Sequence, residues 1–239
     1  MSQTALITGA SRGIGRTIAL YFARAGYDLI LTCRTHITEL QQYALELERS
    51  FSISCRAVCA DMGNYEDVCR LFADIRHLDV LINNAGVSYV GLLADMSPED
   101  WHQIMRTNLD ACFYTCKLAI PLFLQKHQGR ILNISSVWGN VGASMEVAYS
   151  ASKGGVNSFT KALARELAPS NIQVNAIACG IIDTQMNAHL SEEDLKAICD
   201  EIPADRMGTC EEVAQLVLQT AQAPSYLTGQ IITIDGGWC

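Results

Sequence analysis

Thr4-Ala-Leu-Ile-Thr8-Gly9-Ala-Ser11-Arg12-Gly13-Ile14-Gly15 is a short apolar run that breaks into a glycine-rich turn. The amphipathic stretch from Arg16 to Ala25 then reads as a helix closed by Gly26. Strand, glycine-rich turn and helix in this order aim the free amides of a helix N-terminus at a pyrophosphate. Gly9 permits the tight turn, Gly13 lets the backbone approach phosphates, and Gly15 allows close packing. The spacing is Gly-x-x-x-Gly-x-Gly, which differs from the commoner Gly-x-Gly-x-x-Gly fingerprint. The stretch reads as a nucleotide site.

The same alternation continues along the chain. Strands are expected at Asp28–Thr32, Ile53–Ala60, Asp79–Asn83, Gly129–Ser135, Ile172–Ala178 and Gly229–Asp235. Helical patterns separate them: 36–49, 65–76, 98 to about 128 with a break near Thr107-Asn108, 148–168, 191–201 and 210–221. Pro98 after Ser97 suits the first position of its helix, and Pro169 ends the helix before it. No linker, composition shift or repeat divides the 239 residues. The expected fold is α/β: a single doubly wound domain, 1–239, with a seven-stranded, mostly parallel sheet and right-handed crossovers. Ligands of such sheets collect at the C-terminal ends of the strands, where the glycine turn, Asp61, Asn84, Ser136 and Gly180 all fall.

Composition narrows the function classes. A hydrophobic content of 49% supplies a sizeable core. The formal net charge of −8 disfavours nucleic acid or an anionic membrane as partner, because either needs a basic face. No apolar run approaches the ~20 residues of a membrane span, and no basic segment followed by an apolar one marks a signal peptide, so a cytoplasmic location is expected. The ten cysteines include Cys55/Cys59 and Cys112/Cys116, each pair four apart, without a Cys-x-x-Cys or a nearby histidine pair. No metal is expected, and the cysteines read as buried free thiols.

Strand ends carry the more specific signals. The second strand runs into Cys33-Arg34-Thr35, with no acidic residue to accept ribose hydroxyls. Arg34, with Arg12 on the neighbouring loop, suits a 2′-phosphate instead, which favours NADP(H) over NAD. Asp61, followed by Met62, is placed to meet an adenine amino group or to cap the next helix. The small residues of Asn84-Ala85-Gly86 let the backbone lie against a cofactor, and Asn83 and Asn84 are suited to tie strand ends together. In Tyr149-Ser-Ala-Ser-Lys153, tyrosine and lysine lie one helical turn apart on one face. There the ammonium is expected to lower the phenol's pKa and poise it for proton exchange with a carbonyl or alcohol.

Taken together, Thr8-Gly-Ala-Ser-Arg-Gly-Ile-Gly15, Asn83-Asn-Ala-Gly86, Asn108, Ser136, Tyr149-x-x-x-Lys153 and the tail Gly229 to Gly237 resemble the short-chain dehydrogenase/reductase family over essentially the whole chain. The resemblance implies a Rossmann fold, a homotetramer, and a catalytic set of Asn108, Ser136, Tyr149 and Lys153. Tyr149 would give a proton to the substrate carbonyl, Ser136 would hydrogen-bond the same oxygen, and Lys153 would bind the nicotinamide ribose. Asn108 would hold a water linking Lys153 to solvent. Ile182, through its backbone, and Thr184 would fix the carboxamide and phosphate. The spacing of thirteen residues before Tyr149 selects Ser136 over Ser135. The family's usual Pro-Gly after the sixth strand is Cys179-Gly180 here, which suggests a loop that is looser or differently hydrogen-bonded, with a packed thiol.

Within the family, Asn133-Ile-Ser-Ser-Val137, Ala164-Arg-Glu-Leu-Ala168 and Tyr226-Leu-Thr-Gly-Gln230 are similar to 3-oxoacyl-[acyl-carrier-protein] reductases of fatty-acid synthesis. That resemblance implies a thioester carried by an acidic carrier protein, with Lys126, Arg130 and Lys161 as docking candidates. Trp138-Gly-Asn-Val-Gly-Ala-Ser-Met145 and Ile177-Ala-Cys-Gly180 are also similar to the elongation factor P 5-aminopentanone reductases, which reduce a ketone on a modified lysine. A further alternative is an NADP(H)-binding sensor or scaffold without turnover. A lid is expected over residues 184–207, carrying Met186 and His189, with Trp138 and Met145 lining the substrate pocket and His189 read as a solvated loop residue.

Overall fold

The computed structural model describes residues 2–188 and 190–239. Seven strands form one sheet: β1 (Thr4–Ile7), β2 (Asp28–Cys33), β3 (Cys55–Cys59), β4 (Val80–Asn83), β5 (Gly129–Ser136), β6 (Ile172–Cys179) and β7 (Ile231–Ile234). Their order is β3-β2-β1-β4-β5-β6-β7, and every pairing is parallel, including the last, which bears out the expected doubly wound sheet and sharpens mostly parallel to all parallel. Strands β4, β5 and β6 are buried along almost their whole length, on both faces of the sheet, and the polar residues within them, such as Asn83, Asn133 and Asn175, are buried and hydrogen-bonded.

The helices are α1 (Gly13–Arg24), α2 (Ile37–Phe51), α3 (Tyr65–Ala73), α4 (Pro98–Met105), α5 (Ala111–Lys126), α6 (Trp138–Val141), α7 (Val147–Leu167), α8 (Glu192–Glu201) and α9 (Cys210–Gln222). Two apolar layers result. One packs Ile18, Phe22, Leu40 and Val217 of α1, α2 and α9 against one sheet face; the other packs Val68, Phe123 and Leu163 of α3, α5 and α7 against the opposite face. Short polar side chains set helix starts. Asn64 accepts from the amides of Glu66 and Asp67, Ser97 precedes Pro98, and Thr209 and Glu212 form a capping box.

Several boundaries differ from the expected ones for identifiable reasons. Helix α1 begins at Gly13, three residues early, because the glycine turn feeds the helix without a spacer. Strand β3 is shorter than 53–60: Ser52 takes a left-handed cap, and the Ser54 amide is held by the Asp28 carboxylate at 2.7 Å. Strand β7 starts after Gly229, whose φ of 74° belongs to a turn. The break expected near Asn108 is a π-helical turn, Arg106–Asp110, and the chain stays helical through it. The small helix α6 was not foreseen.

All seven strands point their C-terminal ends at one rim, where the functional cleft opens. At the opposite rim, Lys126 pairs with Asp79 and donates to the Leu78 carbonyl at 3.3 Å, and Arg130 opens β5. Lys161 lies exposed on α7, twelve residues beyond Tyr149 and so about 18 Å farther along the helix. None of the three expected docking cations stands at the cleft mouth. The lid helix α8 instead carries Glu192, Glu193, Asp194, Asp200 and Glu201 against Lys196.

Candidate active site

The ends of β1 and β4 are locked together before any side chain of the cleft is placed. Thr8 Oγ1 accepts from the amides of Asn84 and Ala85 at 2.9 and 3.0 Å, and Asn84 Nδ2 donates to the carbonyls of Thr8 and Gly9 at 2.9 and 3.0 Å. Asn83 bonds Asn133 of β5 at 2.9 Å and accepts from Thr115 of α5 at 2.7 Å. The paired asparagines thus tie strand ends as their position suggested. This closeness explains two glycines. Gly9 has φ 66°, and a Cβ there would lie 2.9 Å from Ala85 Cα. A Cβ on Gly15 would overlap the Gly9 carbonyl and the Asn84 amide.

The result is a cleft of about 600 Å³ along the C-terminal rim. Gly9, Ser11, Arg12, Gly13, Ile14 and Gly15 form one wall. Arg34 at the end of β2 and Asp61 and Met62 after β3 form the next, and Asn84, Ala85 and Gly86 form the floor. Ile182 and Thr184 close the far side. The buried Thr32 hydroxyl lines this half and has no hydrogen-bond partner among the described residues. An amide-rich glycine loop, two arginines and an orphaned hydroxyl fit a dinucleotide, with the adenosine end at Arg34. Arg12 donates to Gln185 at 3.1 Å, so of the two guanidiniums Arg34 is the one not held by that lid residue. Asp61 does not cap α3, because Asn64 does; Asp61 Oδ1 accepts from the Gly63 amide at 2.9 Å and fixes the turn.

Ser136, Tyr149 and Lys153 meet at the other end of this floor. Ser136 ends β5; its Oγ accepts from the Trp138 amide at 3.2 Å and lies beside the Tyr149 phenol, acting to lower its pKa. Ser135 faces α7 instead, donating to Asn157 at 2.6 Å. Lys153 is buried, donates to the Ile134 carbonyl at 2.8 Å, and holds its ammonium 5.6 Å from the centre of the Tyr149 ring. Asn108 is buried too: Oδ1 accepts from Val87 at 2.9 Å, and Nδ2 donates to Val87 at 2.9 Å and to Ser152 at 3.0 Å. Ser152 in turn donates to the Tyr149 carbonyl at 2.7 Å, so Asn108 braces the helix turn that carries the tyrosine. The π-helical turn is what points Asn108 there.

Electrostatics correct one expectation. Burial pushes the Tyr149 phenol above its ordinary pKa, with Cys179 and Glu146 adding to the rise, and only the Ser136 hydrogen bond opposes it. Burial also lowers the pKa of Lys153. The expected lowering of the tyrosine's pKa is therefore reversed, with desolvation as the largest cause. Cys179 is buried, and burial raises its thiol to about 12, so it is a packed thiol. The loop after it is not loose. Gly180 donates to Ile234 at 2.9 Å, and Ile182 forms a parallel bridge with Gly208, whose carbonyl accepts from Asp183 at 2.9 Å.

Beyond Tyr149 the cleft becomes more apolar. Trp138, Met186 and Ile198 line it, as does Glu146 at the start of α7. Met145 does not. It is exposed, with a left-handed φ of 64°, and its carbonyl accepts from Gly91 at 2.8 Å, which turns Glu146 inward in its place. Trp238 was missed: its ring meets Trp138 edge-on, centroids 4.9 Å apart and planes at 60°. Asp235 accepts from the amides of Gly237 and Cys239 at 3.0 and 2.9 Å and so folds the tail back. A signal existed, since a parallel final strand must deliver its following residues to the same rim. His189 lies outside the described residues. Of the ten cysteines, all free, Cys59 and Cys239 are exposed, against the expectation that all are buried. Among the described residues no group of three or more metal-ligating side chains occurs, and no helix is long and apolar enough to cross a membrane.

A family model for the short chain dehydrogenase matches residues 3–195. The chain belongs to that family. The chain is 35% identical to the uncharacterized oxidoreductase YmfI of Bacillus subtilis (strain 168), covering 100% of this chain and 99% of that one. Its identity to the 3-oxoacyl-[acyl-carrier-protein] reductase FabG is 38% for Aquifex aeolicus (98% and 96% covered) and 39% for Aggregatibacter actinomycetemcomitans (100% of both). Among solved structures, YwfH, an NADPH dependent reductase involved in bacilysin biosynthesis, superposes with a TM-score of 0.93 at 27% identity, covering 100% and 99% of the two chains. The chain is an oxidoreductase of the short-chain dehydrogenase family with an all-parallel α/β fold.

Proposed function

We propose that this oxidoreductase reduces a ketone to an alcohol with NADPH, and that the ketone is carried on a 3-oxoacyl thioester. The observation that carries the reading is the meeting of Ser136 and Tyr149 beside the buried Lys153 ammonium, 5.6 Å from the Tyr149 ring centre, where the glycine-walled half of the cleft meets the apolar half. When bound, NADPH supplies the hydride. Tyr149, kept protonated by burial, gives its proton to the carbonyl oxygen, and the Ser136 hydroxyl steadies the charge that develops there. The Lys153 ammonium stabilises the phenolate left behind and holds the nicotinamide ribose. Asn108 positions this turn through Ser152, and its backbone carbonyl is the group that would hold a water on the way to solvent. Arg34, with no carboxylate beside it at the end of β2, supports NADPH over NADH.

The thioester reading rests on the carrier-protein reductases at 38% and 39% identity and on the apolar substrate half. One observation favours a second substrate. Glu146 lines the substrate half, and a carboxylate there suits a ketone that also bears an amine, as the 5-aminopentanone on elongation factor P does. Comparing kcat/KM for acetoacetyl thioester with that for ketone-bearing elongation factor P decides between them. Thioester turnover at least about tenfold faster upholds the first reading, and the reverse order replaces it. A homotetramer is part of the proposal, supported by exposed Phe113 and Leu124 on α5; a monomer by light scattering would contradict it.

A further inference from the structure

Two thiols stand at the base of the loop that carries Arg34. Cys33 ends β2 and Cys59 ends β3, and they are direct partners in the parallel register. Leu29, Leu31 and Cys33 share a sheet face with Cys55 and Ala57, so alternation puts Cys59 on that face too. Adjacent strands lie about 4.8 Å apart, inside the range of about 4.4–6.8 Å that Cα atoms of a disulfide span. Cys59 Sγ donates to the Arg34 carbonyl at 3.3 Å and so holds the backbone of that loop, while the neighbouring His36 amide acts to lower the Cys33 thiol's pKa. Cys33 itself lines the cleft beside Arg34.

We propose that Cys33 and Cys59 are an oxidisable pair whose disulfide loosens the Arg34 loop and weakens binding at the adenosine end of the cleft. The proposal rests on the reading of Arg34 as the group that meets the 2′-phosphate. Cys59 is exposed and Cys33 is buried, with burial raising the Cys33 thiol, so Cys59 meets a peroxide first. Its sulfur attacks the peroxide: an S–O bond forms, the O–O bond breaks, and water or an alcohol leaves. The Cys33 sulfur then attacks the resulting sulfenic acid, forming the S–S bond and releasing water. Two thiols and one hydroperoxide yield one disulfide, one alcohol (or water) and one water; sulfur is oxidised and peroxide oxygen reduced. In the product Cys59 has no S–H left to donate to Arg34.

The test treats the full-length reduced protein with hydrogen peroxide, maps thiols by non-reducing peptide mass spectrometry, and titrates NADPH and NADH by fluorescence. The expected result is a peptide linking Cys33 to Cys59 and about fivefold weaker NADPH binding, the loss of one charge-free hydrogen bond and the order it gives. NADH should change less, a dithiol reductant should restore NADPH binding, and Cys59→Ser should show no response to peroxide. Cys33 and Cys59 remaining as separate thiols, or Cys59→Ser losing NADPH affinity to the same extent, would overturn the proposal. A Cys33–Cys59 disulfide that weakened both cofactors alike would uphold the thiol pair and overturn the 2′-phosphate reading of Arg34.

Discussion

The two halves of the cleft are built differently. The cofactor half is mostly backbone: a glycine turn and the floor at Asn84 to Gly86, tied by Thr8 and Asn84. Main-chain atoms approach so closely there that a single Cβ at Gly9 or Gly15 has no room. The substrate half is side chain: Trp138 after β5, Glu146 at the start of α7, Ile198 on α8 and Trp238 after β7. A half made of backbone recognises what every dinucleotide shares. A half made of side chains from four separate segments is free to vary, and in the proposed reaction it sets which ketone enters. Tyr149 and Lys153 stand on the boundary.

That division is open to attack at each residue. Tyr149→Phe should lower kcat by about 10²- to 10⁴-fold while NADPH affinity, measured by fluorescence, holds. A mutant that lost affinity in step with turnover would show that the halves are not separable. Arg34→Ala should weaken NADPH by about ten- to hundredfold with a much smaller effect on NADH and none on the ketone's KM. Trp238→Ala should raise the ketone's KM by about tenfold and leave NADPH untouched, since the edge-on contact with Trp138 walls only the substrate half. The smallest effect concerns pH. Because burial raises the Tyr149 phenol above its usual value, its acid form persists through the neutral range. Reduction should therefore vary less than about twofold between about pH 6 and 8, and a fall centred near neutrality would mean that the phenol is acidified.

The same division explains what the sequence made legible. Close backbone approach forces glycine at fixed spacing, so Gly9, Gly13 and Gly15, read with the strand before them and the helix after, pointed to the turn that walls the cleft. One helical turn set the separation of Tyr149 and Lys153, but it was the family resemblance that joined Ser136 and Asn108 to them, and the fold brings Ser136, Tyr149 and Lys153 to one end of the cleft. Trp238 and Glu146 obey no spacing rule; they arrive through the tail's return over the sheet and through a left-handed Met145 that turns its neighbour inward. The direction of the tyrosine's pKa was also hidden, because it depends on burial by segments far apart in the chain. Lys126 and Arg130 misled for a related reason, since charge is visible in sequence while the rim on which it sits is not.

The central claim is that this cleft turns over a carbonyl and does not merely hold a nucleotide. The most direct measurement mixes the enzyme with NADPH and a 3-oxoacyl thioester or the elongation factor P ketone, following NADPH absorbance and alcohol formed. The account predicts catalytic turnover with at least one of the two, one alcohol appearing for each NADPH consumed. Tight NADPH binding with no consumption in the presence of either ketone would contradict it and leave a nucleotide sensor in its place.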